Sequence, residues 1–165
     1  MTLDRIDRKI LSILQEDATI PVSEIGRKVG LSTTPCWRRI QKMEEDKVII
    51  GRVAILDPAK VNAPVSVFVA IRTSEHSDAW LRSFSTIVSD FPEVMEFYRM
   101  SGEVDYLLRV VVCDIAAYDD FYRRLIARIS LSDVSSSFSM DQIKYTTALP
   151  LIFLREEKNR QNKDL

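Results

Sequence analysis

Residues with the types and spacing needed for covalent or metal chemistry are scarce in this chain. The two cysteines, Cys36 and Cys113, lie far apart with no C-x-x-C spacing, and the single histidine, His76, has no second His or Cys near it. A nucleophile–imidazole pair or a metal cage needs such groups within reach of one another. No catalytic residue, metal ligand or cofactor is therefore assigned, and the chain does not read as an enzyme. Polar chemistry gathers instead in "STTPCWRRIQKMEED", Ser32 to Asp46, where proline and tryptophan flank Cys36 and two arginines follow.

On a helix of 100° per residue, Cys36, Ile40 and Met43 share one narrow stripe, while Thr34, Trp37, Arg38 and Gln41 fall opposite. Lys42 lies at the edge of the polar side and Arg39 flanks the apolar stripe. Cys36 then reads as a small core hydrophobe. The competing reading, a reactive thiolate at a helix N-terminus beside arginines, requires exposure and fast alkylation. The polar face suits double-stranded DNA. Arg38 can donate to a guanine edge or a phosphate, Gln41 to adenine or a phosphate, and Thr33 and Thr34 to phosphates at the helix start. Trp37 either touches a thymine methyl or sugar, or packs on its own domain. The candidate DNA-binding set is Ser32, Thr33, Thr34, Trp37, Arg38, Arg39, Gln41 and Lys42; the plain alternative is a solvated helix face.

What precedes this stretch favours DNA. "LDRIDRKILSILQED" puts Leu3, Ile6, Ile10, Ile13 and Leu14 on one stripe, with Asp4 placed to cap it. "PVSEIGRKVG" gives a short second helix with Val22, Ile25 and Val29 inward, and Gly30 supplies a stop that tolerates positive φ. Helix, helix, tight Gly turn, helix is the pattern of a helix-turn-helix. Pro35 is tolerated in the first turn, where backbone N–H groups have no intrahelical partner. "VIIGRVAIL" then reads as two short β segments around Gly51, a small wing or connector. "DPAKVNAP", with two prolines, reads as a linker.

The second half has a different rhythm. "VSVFVAIRT", "VMEFYRM" and "YLLRVVV" alternate as strands, with "SGEVD" as a turn between the last two. Asp78 to Val88 is helical through Trp80, Leu81, Phe84, Ile87 and Val88. Asp114 caps a second helix with Tyr118, Phe121, Tyr122, Leu125 and Ile129 inward, and Val134 to Tyr145 reads as a last strand. The order β-α-β-β-α-β predicts a ferredoxin-like sheet domain. The fold class is thus α+β, a winged helix-turn-helix followed by a ferredoxin-like domain. The predicted boundaries are 1–56, a linker 57–64, the sheet domain 65–153, and a polar, frayed tail 154–165.

Composition fits a globular protein with a modest basic excess near the DNA-facing end. The chain has 165 residues, 46% hydrophobic and 28% charged, with net charge -1. Through Lys60, 11 Lys and Arg stand against 9 Asp and Glu; beyond it the numbers are 12 and 15. The charged N-terminus lacks an apolar h-region, and no window approaches the ~20 apolar residues of a membrane span. A reducing cytoplasmic setting, away from any membrane, is expected.

These residues resemble a family. Leu3, Asp4, Asp7, Ile10 and Leu11, then Ile25 and Val29-Gly30-Leu31-Ser32, then Arg39, Ile40, Lys42, Met43 and Glu44 match the DNA-binding half of the Lrp/AsnC "feast/famine" regulators. "S-x-T-P-C-W" looks like the subgroup that regulates amino-acid catabolism. The second half resembles the family's effector and assembly (RAM/ACT-like) domain, whose G-x-x-D-[YF]-L-L turn appears as Gly102 to Leu108. A family T-x-T on the last strand corresponds to Ser137 and Ser139. One departure stands out: Lys47 occupies the place where the family usually has Gly after the recognition helix. Positive φ there would strain a non-Gly residue by ~1 kcal/mol.

The resemblance implies a bacterial or archaeal, nucleoid-associated transcription regulator. It implies an amino acid or small metabolite held between subunits near Met100, Gly102, Glu103, Asp105 and Ser137. By itself "SGEVD" reads as a plain hairpin turn or as a nest whose N–H groups hold a carboxylate. Asp105 either holds the ligand's ammonium or caps the turn. A four-stranded sheet with two helices leaves one face uncovered, and because Val65, Val67, Val69 and Ile71 alternate with Phe68 and Ala70, both faces are substantially apolar. This predicts a homodimer, with tetramers or octamers implied by the family. Two rivals stand beside this reading: an enzyme on a ferredoxin-like fold, and a ligand-independent protein that organises DNA.

Overall fold

The computed structural model describes residues 2–154, which form two compact units. The predicted polar tail beyond Leu154 lies outside the described residues. Among the described residues, the first unit joins residues 2–54 with residues 144–154. Its helices are α1 (Arg5–Glu16), α2 (Val22–Val29) and α3 (Thr33–Glu45). Asp4 caps α1 in a capping box: its side chain accepts the N–H groups of Ile6 and Asp7, and the Asp7 side chain accepts the N–H of Asp4. Ile10, Leu11, Ile25, Val29, Cys36, Ile40 and Met43 close the core. Of the stripe expected on α1 only Ile10 is fully inside; Leu3, Ile6, Ile13 and Leu14 pack against the core partly buried, as does Val22, and Leu11 joins it from outside that stripe.

Both turns out of α2 and α3 use left-handed backbone. Gly30 has φ 78°, and the Leu31 N–H reaches back to the Gly26 carbonyl at 2.8 Å. A Cβ on Gly26 would stand 2.8 Å from the Leu31 carbonyl oxygen, so this turn is tight enough to need glycine there too. After α3 the left-handed residue is Lys47, at φ 56°. Its N–H bonds to Glu44 O at 3.1 Å, and the Val48 N–H bonds to Met43 O at 2.8 Å. Those are the paired bonds of a Schellman cap.

Two corrections follow for this unit. Residues 48–56 form no strand, so the expected β segments of a wing are absent among the described residues. Their β-branched side chains favour extended backbone, but a strand needs a partner edge, and Ile50 and Val53 stay exposed. In addition, the stretch from Lys144, expected to belong to the sheet domain, groups with the helices. Its 3-10 turn, Leu151–Phe153, brings Leu151 onto the helical core. Gln15 pairs with Leu149 twice, accepting its N–H at 2.7 Å and donating to its carbonyl at 3.2 Å, and Arg8 donates to the Leu154 carbonyl at 2.8 Å.

The second unit, Ile55–Ile143, contains β1 (Val65–Arg72), α4 (Asp78–Ser89), β2 (Val94–Arg99), β3 (Tyr106–Val112), α5 (Ile115–Arg128) and β4 (Asp133–Phe138). The sheet order is β2-β3-β1-β4, with every neighbour antiparallel. Val67, Val69, Ile71, Leu108 and Val110 pack with Phe84, Val88, Phe121 and Leu125 of the helices. The other set of alternating positions includes Phe68, Ala70 and Leu107, with Phe68 exposed. β4 stops at Phe138 rather than reaching Tyr145, and the ladder's last bond runs from Ser139 N–H to Ser66 O at 2.9 Å. The partner strand begins at Val65 directly after Pro64, which has no N–H to offer, so the next pairing would lack one of its two bonds.

Candidate DNA interface and effector turn

Helix α3 presents a two-sided surface. Cys36 and Met43 are fully buried and Ile40 nearly so, which anchors the helix on α1 and α2. Burial pushes the Cys36 thiol pKa up, against the pull of Arg39, as a core cysteine requires. Thr34, Arg38, Gln41 and Lys42 are exposed on the far side, and Trp37 joins them at 46% exposure. Ser32 sits at the N-cap and Thr33 opens the helix, but no hydroxyl there caps it. Those hydroxyls and the free N–H groups of the first turn point to solvent-side partners.

Arg39 behaves differently from the other residues expected to touch DNA. Its Nη1 donates to Asp4 Oδ2 at 2.7 Å and to Asp7 Oδ1 at 2.8 Å. Asp7 is only 2% exposed. Burial works to raise the Asp4 pKa, but the Asp7 and Ile6 amides and the Arg39 guanidinium outweigh it and hold the carboxyl below its usual value. The Asp7 and Asp4 carboxylates in turn raise the Arg39 pKa. The guanidinium is tied to the start of α1. Arg38, Arg39, Lys42, Asp4 and Asp7 together line one shallow groove.

In the sheet unit, the Ser101–Asp105 turn joins β2 to β3. Gly102 has φ 123°, a region L side chains avoid, and open space lies where a Cβ would go. No hydrogen bond among the described residues takes up the N–H groups of Ser101, Gly102 or Glu103. Asp105 ties the turn to the end of β1: its Oδ2 accepts the Thr73 N–H at 2.9 Å and its own N–H donates to Ile71 O at 3.0 Å. Its Oδ1 stands 4.0 Å from His76 Nδ1. Arg72, which sequence reasoning passed over, holds the turn by donating from Nε to Glu103 O at 2.8 Å. Met100 is exposed where β2 ends, and its N–H donates to Asp105 O at 2.8 Å. Ser137 pairs with Phe68 across β4 and β1, several residues from the turn, and is exposed.

A helix-turn-helix with an exposed basic and amide face, carried with a βαββαβ sheet unit, defines a DNA-binding regulator with a sensory domain. Residues 3–44 match the AsnC-type helix-turn-helix domain, and residues 66–149 match the Lrp/AsnC ligand binding domain. The chain is 51% identical over 150 residues to the DNA-binding transcriptional activator DecR of Escherichia coli, covering 90% of this chain and 99% of that one. It is 50% identical over 149 residues to the glutamate uptake regulatory protein of Zymomonas mobilis, covering 90% and 91%. Among solved structures, an AsnC family transcriptional regulator from Agrobacterium tumefaciens aligns with TM-score 0.90 and 69% identity over 93% of this chain and 100% of that one. A transcriptional regulator from Neisseria meningitidis in complex with L-Met aligns with TM-score 0.86 and 35% identity, covering 91% and 97%. The chain belongs to the Lrp/AsnC family of transcriptional regulators, and it is a DNA-binding regulator rather than an enzyme.

Proposed function

We propose that the protein reads a pseudo-palindromic DNA site through Thr34, Trp37, Arg38, Gln41 and Lys42, with Ser32 and Thr33 contacting phosphates. The observation that carries this reading is the division of α3 between a buried Cys36, Ile40, Met43 stripe and an exposed polar face. A homodimer formed through the uncovered sheet face would present two such helices to two half-sites. Further assembly to a tetramer or octamer, in the cytoplasm and on the nucleoid, follows the family pattern.

The effector of this reading is an amino acid or a related metabolite bound between subunits at the Ser101–Asp105 turn. Unclaimed N–H groups at Ser101, Gly102 and Glu103 suit a carboxylate, and Glu103 and the outer oxygen of Asp105 suit an ammonium. Met100 and Ser137 complete the proposed set. The L-Met complex of the Neisseria relative supports this class of ligand. A melting screen against the amino acids and their keto acids tests it, because a ligand of the native state raises stability. At least one should raise the melting temperature, and Gly102→Val should abolish that rise. A chain that binds DNA but responds to none would instead be a ligand-independent DNA organiser.

A further inference from the structure

We infer that Arg39 is a positioning residue for DNA recognition: by clamping Asp4 and Asp7 it sets how α3 rests on α1, and it makes no phosphate contact itself. The inference rests on the proposed reading of the α3 face. Three observations carry it.

The clamp is a closed network. Asp4 Oδ1 accepts the Ile6 and Asp7 N–H groups, while its Oδ2 accepts Arg39. Asp7 Oδ2 accepts the Asp4 N–H, and its Oδ1 accepts Arg39. Every carboxylate oxygen of the α1 capping box is occupied, and Arg39 holds one on each residue. The same two carboxylates therefore start α1 and fasten α3.

The second observation is burial. If Arg39 swung out to a phosphate, the Asp7 Oδ1 atom would lose its partner at a site only 2% exposed. An unpaired buried carboxylate oxygen is penalised by desolvation, whereas a phosphate contact at the surface is screened by water and salt. The balance keeps Arg39 on the aspartates.

The third is placement. Arg38 and Lys42 line the same groove as the clamp, at the adjacent position and one turn on from Arg39. A small roll of α3 about its axis would redirect both. The clamp thus favours one docking geometry over others.

The clamp uses one nitrogen for both carboxylates. A lysine ammonium carries charge and three donors at a single point, so Arg39→Lys should retain much of the function, whereas Arg39→Gln keeps polarity but loses the charge. The test uses the full chain and two probes: a duplex enriched by the wild type from a random-sequence pool, and an unrelated duplex of equal length. Affinity for each is measured as a function of NaCl. Arg39→Gln should lower the ratio of the two affinities about tenfold, leave the salt slope unchanged, and be largely rescued by Arg39→Lys. A fall of the slope by about one would make Arg39 a phosphate contact and overturn the inference. An unchanged ratio would overturn it as well. Should Arg39→Gln fail to fold, Asp4→Asn keeps the N-cap and removes one charged arm, and its ratio must fall for the inference to stand. Arg38→Gln is the control for the underlying reading. If it too changes neither slope nor ratio, or if the wild type enriches no duplex, the proposed α3 interface fails, an outcome distinct from failure of Arg39 alone.

Discussion

Lys47→Gly should stabilise the helical unit. Lys47 sits at φ 56° in the Schellman cap that ends α3, with its own N–H on Glu44 O and the Val48 N–H on Met43 O. A non-Gly residue in left-handed backbone gives up roughly 1–2 kcal/mol. Glycine removes that strain and keeps both bonds, since both are made by backbone atoms. Against this, the unfolded chain gains freedom equivalent to about 0.4–1 kcal/mol, and loss of a cation at a helix C-terminus costs about 0.3 kcal/mol. The net is a gain of about 0.5 kcal/mol, or about a twofold rise in hydrogen-exchange protection for amides that open only with the whole unit. The Ile40 and Met43 amides, inside α3, are the probes. Lys47→Val places a β-branched residue in the same backbone and should lower protection instead. A loss of protection in Lys47→Gly, or a gain in Lys47→Val, would refute the argument that strain at this φ decides the sign.

Other outcomes follow from the same structure. Gly26→Ala should destabilise the helical unit by about 1–2 kcal/mol in chemical unfolding, because the new Cβ meets the Leu31 carbonyl and the propensity gain of alanine only partly offsets the clash. Cys113 should react with a thiol reagent in the native protein while Cys36 waits for unfolding, giving one fast thiol and one slow one. Because the folded Asp4 pKa lies below its unfolded value, its contribution to stability is present above about pH 4 and is lost as pH falls through the folded value. Asp4→Asn should therefore flatten the acid limb of the stability curve, read as midpoint against pH.

How far the sequence reached depended on the range of the interactions involved. The stripe Cys36, Ile40, Met43 and the alternation Val67, Val69, Ile71 are local patterns, and the structure buries both sets. Elements whose limits depend on a neighbour read less well. "VIIGRVAIL" has strand-forming side chains but finds no partner edge, and the last strand ends where Pro64 deprives β1 of a further donor. Arg39 sits on the border between the two faces of α3, so a helical wheel cannot assign it. Its partners, Asp4 and Asp7, lie 35 and 32 positions earlier. Arg72 was missed for the same reason, since its hold on Glu103 spans 31 positions. The return of the chain to α1 through Gln15 and Leu149 spans 134 and leaves no trace in local periodicity. In the turn, the hold of Asp105 on the Thr73 N–H spans 32 positions and is likewise invisible to local patterns.

The central claim is that the exposed face of α3 reads DNA, and selection from a random-sequence duplex pool tests it most directly. The wild-type chain should enrich a pseudo-palindromic sequence, and Arg38→Ala should bind that duplex at least about tenfold more weakly or lose preference at one base position in each half-site. Enrichment by Arg38→Ala of the same sequence with the same affinity would contradict the account.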